Sequence, residues 1–296
     1  MKMYYRRKIL LALLQVYGGK LTKIDFQKYL FLLNVNKTEP YFEFIPYKYG
    51  CFSFQANQDM STLTKYDLVY ESEKCWQLKR KINYLAQLKR SDQILISECY
   101  QKFQSLKGNQ LIKYVYENYP YYASNSSIAR KLLDKKKYEA AVNSKPSMNK
   151  YKLFTIGYEG KTIENFTNEL IKEDVRVLCD VRKNALSMKY GFSKKQLQFI
   201  VENVGIKYIH IPGLGIESAK RKYLNSKKDY EKLFKDYESN ILPERTKELE
   251  ELNKIFITNK RIALMCFEAE HTSCHRNRTV QALAKLHTKP IQVTQL

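Results

Sequence analysis

Between an apolar run, Ile262-Ala263-Leu264-Met265-Cys266, and a helix-like stretch from Asn277 to His287 lies Phe267-Glu268-Ala269-Glu270-His271-Thr272-Ser273-Cys274-His275-Arg276. Nucleophilic, ionisable and cationic side chains crowded between a buried strand and a helix start add little to stability. In an α/β sheet, the crevice at the carboxyl ends of the strands takes ligands. The free amides of a helix start favour an anion there. The stretch therefore reads as a binding or active site. Arg276 and Arg278, at the helix opening, suit a phosphate or carboxylate. A thiol beside them has its pKa pulled down, which makes Cys266 or Cys274 a candidate nucleophile. Glu268 or His275 is then the acid or base. The same Cys/Glu/Cys/His set has zinc-ligand chemistry. Adjacent Cys274 and His275 make that geometry awkward, so no metal and no organic cofactor is expected. The competing reading is a group of buried polar residues that serves the fold alone.

The elements that would position this stretch alternate from residue 151 onward. Strand patterns cover 153–156, 175–182, 207–211, 262–266 and 290–294, with helical patterns between them. This order predicts an α/β domain over 149–296: a doubly wound, mostly parallel sheet with helices on both faces. Parallel strands put all their carboxyl ends on one edge. Gly157-Tyr158-Glu159, Asp180-Val181-Arg182, the turn from His210 to Gly215 and the stretch from Cys266 to Arg278 should meet there. Asp180 and Arg182 lie two apart and would share a strand face, either as a functional pair beside Cys266, Glu268, Cys274, His275 and Arg276 or as a salt-bridged structural pair. Gly157, Tyr158, Glu159, His210 and Arg278 are the candidate ligand contacts.

The residues that carry a family resemblance are Thr155-Ile156-Gly157-Tyr158, Asp180-Val181-Arg182, Phe192, the run Gly205-Ile206-Lys207-Tyr208-Ile209-His210-Ile211-Pro212-Gly213-Leu214-Gly215, and Cys266-x-Glu268-x5-Cys274-His275-Arg276. In order and spacing this part of the chain resembles the prokaryotic domain-of-unknown-function family 488. The resemblance implies a compact α/β domain whose polar motifs meet at one edge, and it implies a site rather than a reaction. Many members continue Asp-Val-Arg with Asn-Pro-Leu-Ser-Arg. Here the chain reads Asn184-Ala185-Leu186-Ser187-Met188, which removes one anion contact; Lys183, Lys189 and Lys194 offer partial compensation. Tyrosine-phosphatase chemistry is not supported, because six residues beyond Cys266 stands Thr272 rather than Arg.

The first half has a different texture. Helical spacing over 6–17 stops at Gly18-Gly19, and Thr22 can cap a second helix over 23–34. Residues 41–45 alternate like a strand. A helix from 55 towards 68 and a hairpin over 69–78 follow. Helices that lead into a two-stranded hairpin predict a winged-helix-like domain over 1–80. Leu21-Thr22-Lys23-Ile24-Asp25-Phe26-Gln27-Lys28-Tyr29-Leu30 and Pro46-Tyr47-Lys48-Tyr49-Gly50-Cys51-Phe52-Ser53 resemble winged-helix domains of prokaryotic regulatory and mobile-element proteins, with Cys51 where such domains often carry Pro. Residues 81–148 read as a basic helical segment and linker. Lys23, Lys28, Lys48, Lys135, Lys136 and Lys137 are the candidate nucleic-acid contacts.

Charge points the same way. The chain carries 52 Lys/Arg against 30 Asp/Glu, a net charge of +22. Residues 1–150 hold 26 basic and 12 acidic residues, a balance of +14. Such a field concentrates polyanions, and nucleic acid, DNA first, is the expected partner. An anionic ligand or nucleotide is expected for the α/β domain. No membrane span is expected, and the short apolar run 9–14 behind a basic start reads as a first helix. Six scattered cysteines do not form a disulfide framework, and a cytoplasmic location is the default. The function expected is a DNA-binding protein whose α/β domain carries out hydrolysis or group transfer on nucleic acid or a nucleotide, in genome defence or stress response. A DNA-binding regulator whose α/β domain senses an anionic small molecule is the alternative. A scaffold whose basic surface meets an acidic protein is a third.

Overall fold

The computed structural model describes residues 3–35, 37–217, 220, 226–270, 274–288 and 290–296. Two compact units divide the chain, Met1–Lys145 and Pro146–Leu296. Among the described residues, no helix is long and apolar enough to cross a membrane.

In the first unit the chain forms α1 (Tyr5–Val16), β1 (Lys20–Thr22), α2 (Lys23–Asn34), β2 (Ile45–Tyr47), β3 (Gly50–Phe52), α3 (Phe54–Lys65), β4 (Val69–Glu71) and β5 (Cys75–Leu78). It continues through α4 (Arg90–Phe103), α5 (Asn109–Asn118), α6 (Pro120–Ala123), α7 (Ala129–Leu132) and α8 (Lys135–Asn143). Caps fix the helix starts. The side chains of Thr22 and Ser53 accept from the amides of Asp25 and Ala56, which closes the first turns of α2 and α3. Strands β1, β5 and β4 make an antiparallel sheet in that order, and β2 pairs with β3. Residues 81–141 share one apolar core with residues 9–78, from Leu10 and Phe26 through Trp76 to Tyr116 and Ala141, so the first unit is one body rather than two. Residues 41–44 are not a strand despite their alternation. The Asn34 carboxamide oxygen accepts from the amides of Tyr41 and Phe42, and this clamp takes the donors a sheet would need.

The second unit contains β6 (Lys152–Gly157), α9 (Ile163–Lys172), β7 (Val177–Asp180), α10 (Lys194–Glu202), β8 (Lys207–His210), α11 (Lys227–Asp236), α12 (Thr246–Asn259), β9 (Arg261–Cys266), α13 (His275–Lys285) and β10 (Val293–Gln295). The five strands form one sheet ordered β10-β6-β9-β7-β8, with every pair parallel. Leu153, Val177, Cys179, Ile262 and Leu264 point to one face, where Leu252 and Phe256 of α12 and Val280 and Leu283 of α13 cover them. Phe154, Ile156, Leu178, Ala263 and Met265, of opposite parity, are just as completely buried. Right-handed crossovers put α9 and α10 on that second face. The α/β, doubly wound architecture is therefore established, and its sheet is wholly parallel.

Strand order locates the crevice. From β6 the chain moves to β7 and β8 on one side. From β8 it returns to β9, between β6 and β7, and then moves to β10 on the far edge. The connections leaving β6 and β9 thus run to opposite faces of the sheet. Neighbouring strands with opposed connections open a crevice at their carboxyl ends, the usual ligand position in such sheets.

Candidate functional site

The loops after β6 and β9 meet over this crevice because Gly157 permits it. A Cβ on Gly157 would lie 1.8 Å from the Glu268 carbonyl oxygen, so only hydrogen fits under the crossing chain. The Tyr158 and Glu159 amides donate to the Phe267 carbonyl at 3.1 and 2.9 Å. The Ala269 amide donates to the Glu159 carboxylate at 3.0 Å. Glu159 therefore fastens the two loops together, in addition to any ligand contact. Residues 271–273 of the predicted stretch lie outside the described residues.

Asp180 and Arg182 form one cluster. Asp180, at the end of β7, is 0% exposed and Arg182 5%. The guanidinium donates from Nε at 2.9 Å and Nη2 at 2.6 Å to the two Asp180 oxygens. Its Nη1 donates to the Tyr158 hydroxyl at 3.2 Å and the Phe192 carbonyl at 2.9 Å. The Tyr208 hydroxyl also donates to Asp180, at 2.6 Å. Burial pulls the guanidinium down, but hydrogen bonding to Asp180 and its charge outweigh that and hold Arg182 above its ordinary pKa. Burial, with Asp180 adding, pushes the Tyr208 phenol far up. Arg182 therefore stays charged and the Tyr208 phenol neutral across the physiological range. Tyr158 stacks on Phe192 at 4.4 Å between ring centroids, which fixes the wall beside Arg182. His210 sits one strand over: its Nε2 donates to the Arg182 carbonyl at 2.8 Å, leaving Nδ1 3.3 Å from the Lys194 ammonium.

The second cluster is Cys266, Cys274 and His275. Both sulfurs lie 3.8 Å from His275 Nδ1. His275 Nε2 is 3.1 Å from the Val181 carbonyl, so this cluster backs directly onto the Asp180–Arg182 segment. Exposure is 1% for each cysteine and 0% for the histidine. Burial pushes the Cys274 thiol well above its usual pKa, Cys266 and Glu268 add to the rise, and Arg276 opposes it only partly. The thiolate that the sequence suggested for Cys274 is thus not favoured, because burial outweighs the neighbouring cations.

Two expected anion contacts take other roles. Arg276 is 0% exposed, and its guanidinium donates to the Glu268 and Ala269 carbonyls, the latter at 2.7 Å. It props up the β9 loop instead of facing a ligand. Arg278 lies 3.5 Å from the Glu238 carboxylate. The first unit needs a similar revision at Lys28. This residue is 2% exposed, with its ammonium donating to the Cys51 carbonyl at 2.9 Å, so it cannot reach a phosphate backbone. Lys23 pairs with Glu71 at 2.6 Å and Lys137 with Glu117 at 2.8 Å. Lys48, Lys135 and Lys136 are exposed.

A cleft of about 160 Å³ opens between the two clusters, lined by Tyr158, Arg182, Lys183, Asn184, Leu186, Ile216, Cys266 and Phe267. Tyr208 and Phe267 were not singled out by the sequence reading as site residues, whereas Lys183 entered it only as a substitute anion contact. Tyr208 had a signal: it lies two before His210 on β8 and so on the same face, next to the end of β7. The cleft and its two flanking clusters define a doubly wound α/β domain with its polar groups gathered at the switch crevice. Residues 162–283 match the family described as domain of unknown function DUF488. No curated protein matches the chain.

Proposed function

We propose that the protein binds DNA through its first unit and, in its second, takes the phosphate of a nucleotide or nucleic acid into the cleft beside Arg182, for hydrolysis or group transfer in genome defence or stress response. The observation that carries this reading is the cleft at the β6–β9 crevice, lined by the cations Arg182 and Lys183 and the amide of Asn184. At about 160 Å³ it is smaller than the roughly 300–1,000 Å³ of ordinary small-molecule pockets. It suits a phosphate group, with the rest of the ligand outside. Leu186, 83% exposed, and Phe267, 44% exposed, offer an apolar rim against which a base could rest.

For the first unit, the order α1, β1, α2, α3, β4, β5 with the sheet order β1-β5-β4 supports a winged-helix reading. The balance of +14 over residues 1–150 favours a polyanion. A groove of about 700 Å³ lined by Lys20, Lys79, Arg80 and Lys81 adds cations that the sequence reading did not pick out. The rival, a regulator that binds an anion without turning it over, is favoured by the burial of Cys274, which is 1% exposed and so works against a thiolate nucleophile.

The test has two arms. Anisotropy of a labelled DNA duplex should show affinity that falls steeply as salt rises and weakens further in a Lys135→Glu/Lys136→Glu variant. Salt-insensitive binding, or none, would overturn the DNA reading. Nucleoside phosphates and labelled nucleic acids should be bound and turned over by the wild type and only weakly by Lys183→Ala. Binding without turnover of any of them would decide for the regulator.

A further inference from the structure

The cluster of Cys266, Cys274 and His275 is more ordered than burial of two thiols requires. One ligand-type atom from each residue lies within 4.8 Å of the other two. A tetrahedral zinc ion held at about 2.3 Å from sulfur and 2.0–2.1 Å from nitrogen needs its donors spaced by roughly 3.4–3.8 Å. Both sulfur–nitrogen distances here are 3.8 Å. Little movement would close the three atoms around an ion.

The imidazole is set up for that role. A carbonyl oxygen only accepts, so the contact of His275 Nε2 with the Val181 carbonyl puts the ring proton on Nε2. Nδ1 then presents a lone pair towards both sulfurs. Histidines that bind metals are held in this way, with the other ring nitrogen donating to a carbonyl or carboxylate. The adjacency of Cys274 and His275, awkward for a ligand pair within one regular element, is resolved by the backbone. Cys274 is the extended N-cap of α13, at φ −136° and ψ 142°, and His275 is the first helical residue. The change from extended to helical backbone between them turns both side chains towards one point. Cys266, the last residue of β9, supplies the third ligand.

Charge favours the same occupant. A divalent ion with two thiolates is neutral overall, which suits a site whose three residues are at most 1% exposed. Two thiols, by contrast, need no oriented imidazole to be buried.

We infer that Cys266, Cys274 and His275 form a three-residue site for a thiophilic divalent metal ion, with zinc as the best match. On binding, each thiol loses its proton to solvent and both sulfurs become thiolate ligands. The fourth position falls to a water from the cleft that Cys266 lines, which leaves the site neutral. The site goes beyond the phosphate-ligand reading and does not depend on it.

The test is metal content of the full-length protein, purified under reducing conditions and loaded with zinc or with cobalt(II) before exhaustive dialysis. Elemental analysis should find about one ion per chain. The cobalt form should show thiolate-to-cobalt charge transfer and the intense visible bands of a tetrahedral centre. Cys266→Ser/Cys274→Ser should lose both signals, and His275→Gln should weaken binding by at least about ten-fold. Cys51→Ser and Cys179→Ser, at buried cysteines outside the cluster, control for folding and should keep the full complement. Less than about a tenth of an ion per chain in the loaded wild type, an unchanged complement in the double variant, or a Cys266–Cys274 disulfide in freshly purified protein would each overturn the proposal. Those results leave DNA binding and the Lys183 dependence untouched, so failure of the metal site and failure of the phosphate reading are distinguishable.

Discussion

Asp180 is the residue on which the second unit's polar interior turns. It takes three bonds from Arg182, one of them from the backbone amide, and one from Tyr208, with no solvent exposure to compensate for a loss. Removing the charge on one side of a buried pair leaves the other uncompensated, at about 3–5 kcal/mol. Asp180→Asn should therefore lower the urea unfolding free energy by that much. Tyr208→Phe removes one donor while Arg182 still satisfies the carboxylate, so about 1 kcal/mol is expected. Equal losses in the two variants would mean that the pair is not held as described. At this scale the sequence was informative where spacing carried chemistry. Asp180 at the end of β7 and Cys266 at the end of β9 stand at one edge of the sheet, as the alternation of strands and helices indicated. The sequence misled at Arg276 and Lys28, because a cation in a sequence does not reveal whether it faces a phosphate or a carbonyl. For Lys28 a warning was available. Ile24, four residues before it, and Phe31 and Leu32, three and four after it, put Lys28 in an apolar part of the α2 surface, and such a surface faces a core.

The crossing of the β6 and β9 loops is the element-scale feature that makes the cleft, and two glycines three apart separate its causes. Gly157→Ala drives a methyl into the Glu268 carbonyl. Backbone must move, at about 1–3 kcal/mol, and the Arg276 bonds to Glu268 and Ala269 move with it. Gly160 sits at φ +74°, and a methyl there would meet nothing within 4 Å, so Gly160→Ala incurs only backbone strain, about 1 kcal/mol. Thermal unfolding should rank Gly157→Ala as the more damaging, and only that variant should also impair the nucleotide binding proposed for the cleft. If both variants behave alike, the close approach does not shape the site. Alternating periodicity in the sequence showed the strands and helices of this unit, yet not that β9 inserts between β6 and β7. Periodicity reports which residues face a core, whereas strand neighbours are set by crossovers that leave no local pattern. The misread strand at 41–44 has a related cause, since its alternation was real but Asn34 had taken the backbone donors.

At the scale of the whole molecule, 24 tyrosines make alkaline pH the most revealing perturbation. In the first unit burial lifts Tyr29 and Tyr122 from 10.0 to about 12, and Cys51 and Cys99 from 9.0 to about 11. A group whose folded pKa is raised holds its proton longer in the folded than in the unfolded chain. Its stabilisation is fully present below the unfolded pKa and is lost as pH rises through the folded one. Lys28 works the other way. Burial lowers its pKa from 10.5, so the unfolded chain holds that proton more tightly, and stability is regained as pH climbs towards 10.5. One amine is set against several phenols and thiols in the same core, and the net slope is downward. The first unit should lose stability from about pH 9, with most of the loss between about pH 10 and 12. Tyrosinate absorbance and far-ultraviolet circular dichroism, followed together in one alkaline titration, check this. The buried phenols should ionise in the same cooperative step that removes helical signal, above the range where exposed tyrosines titrate. Smooth ionisation of all tyrosines near pH 10 with the helical signal intact would show that these side chains are not packed in one core.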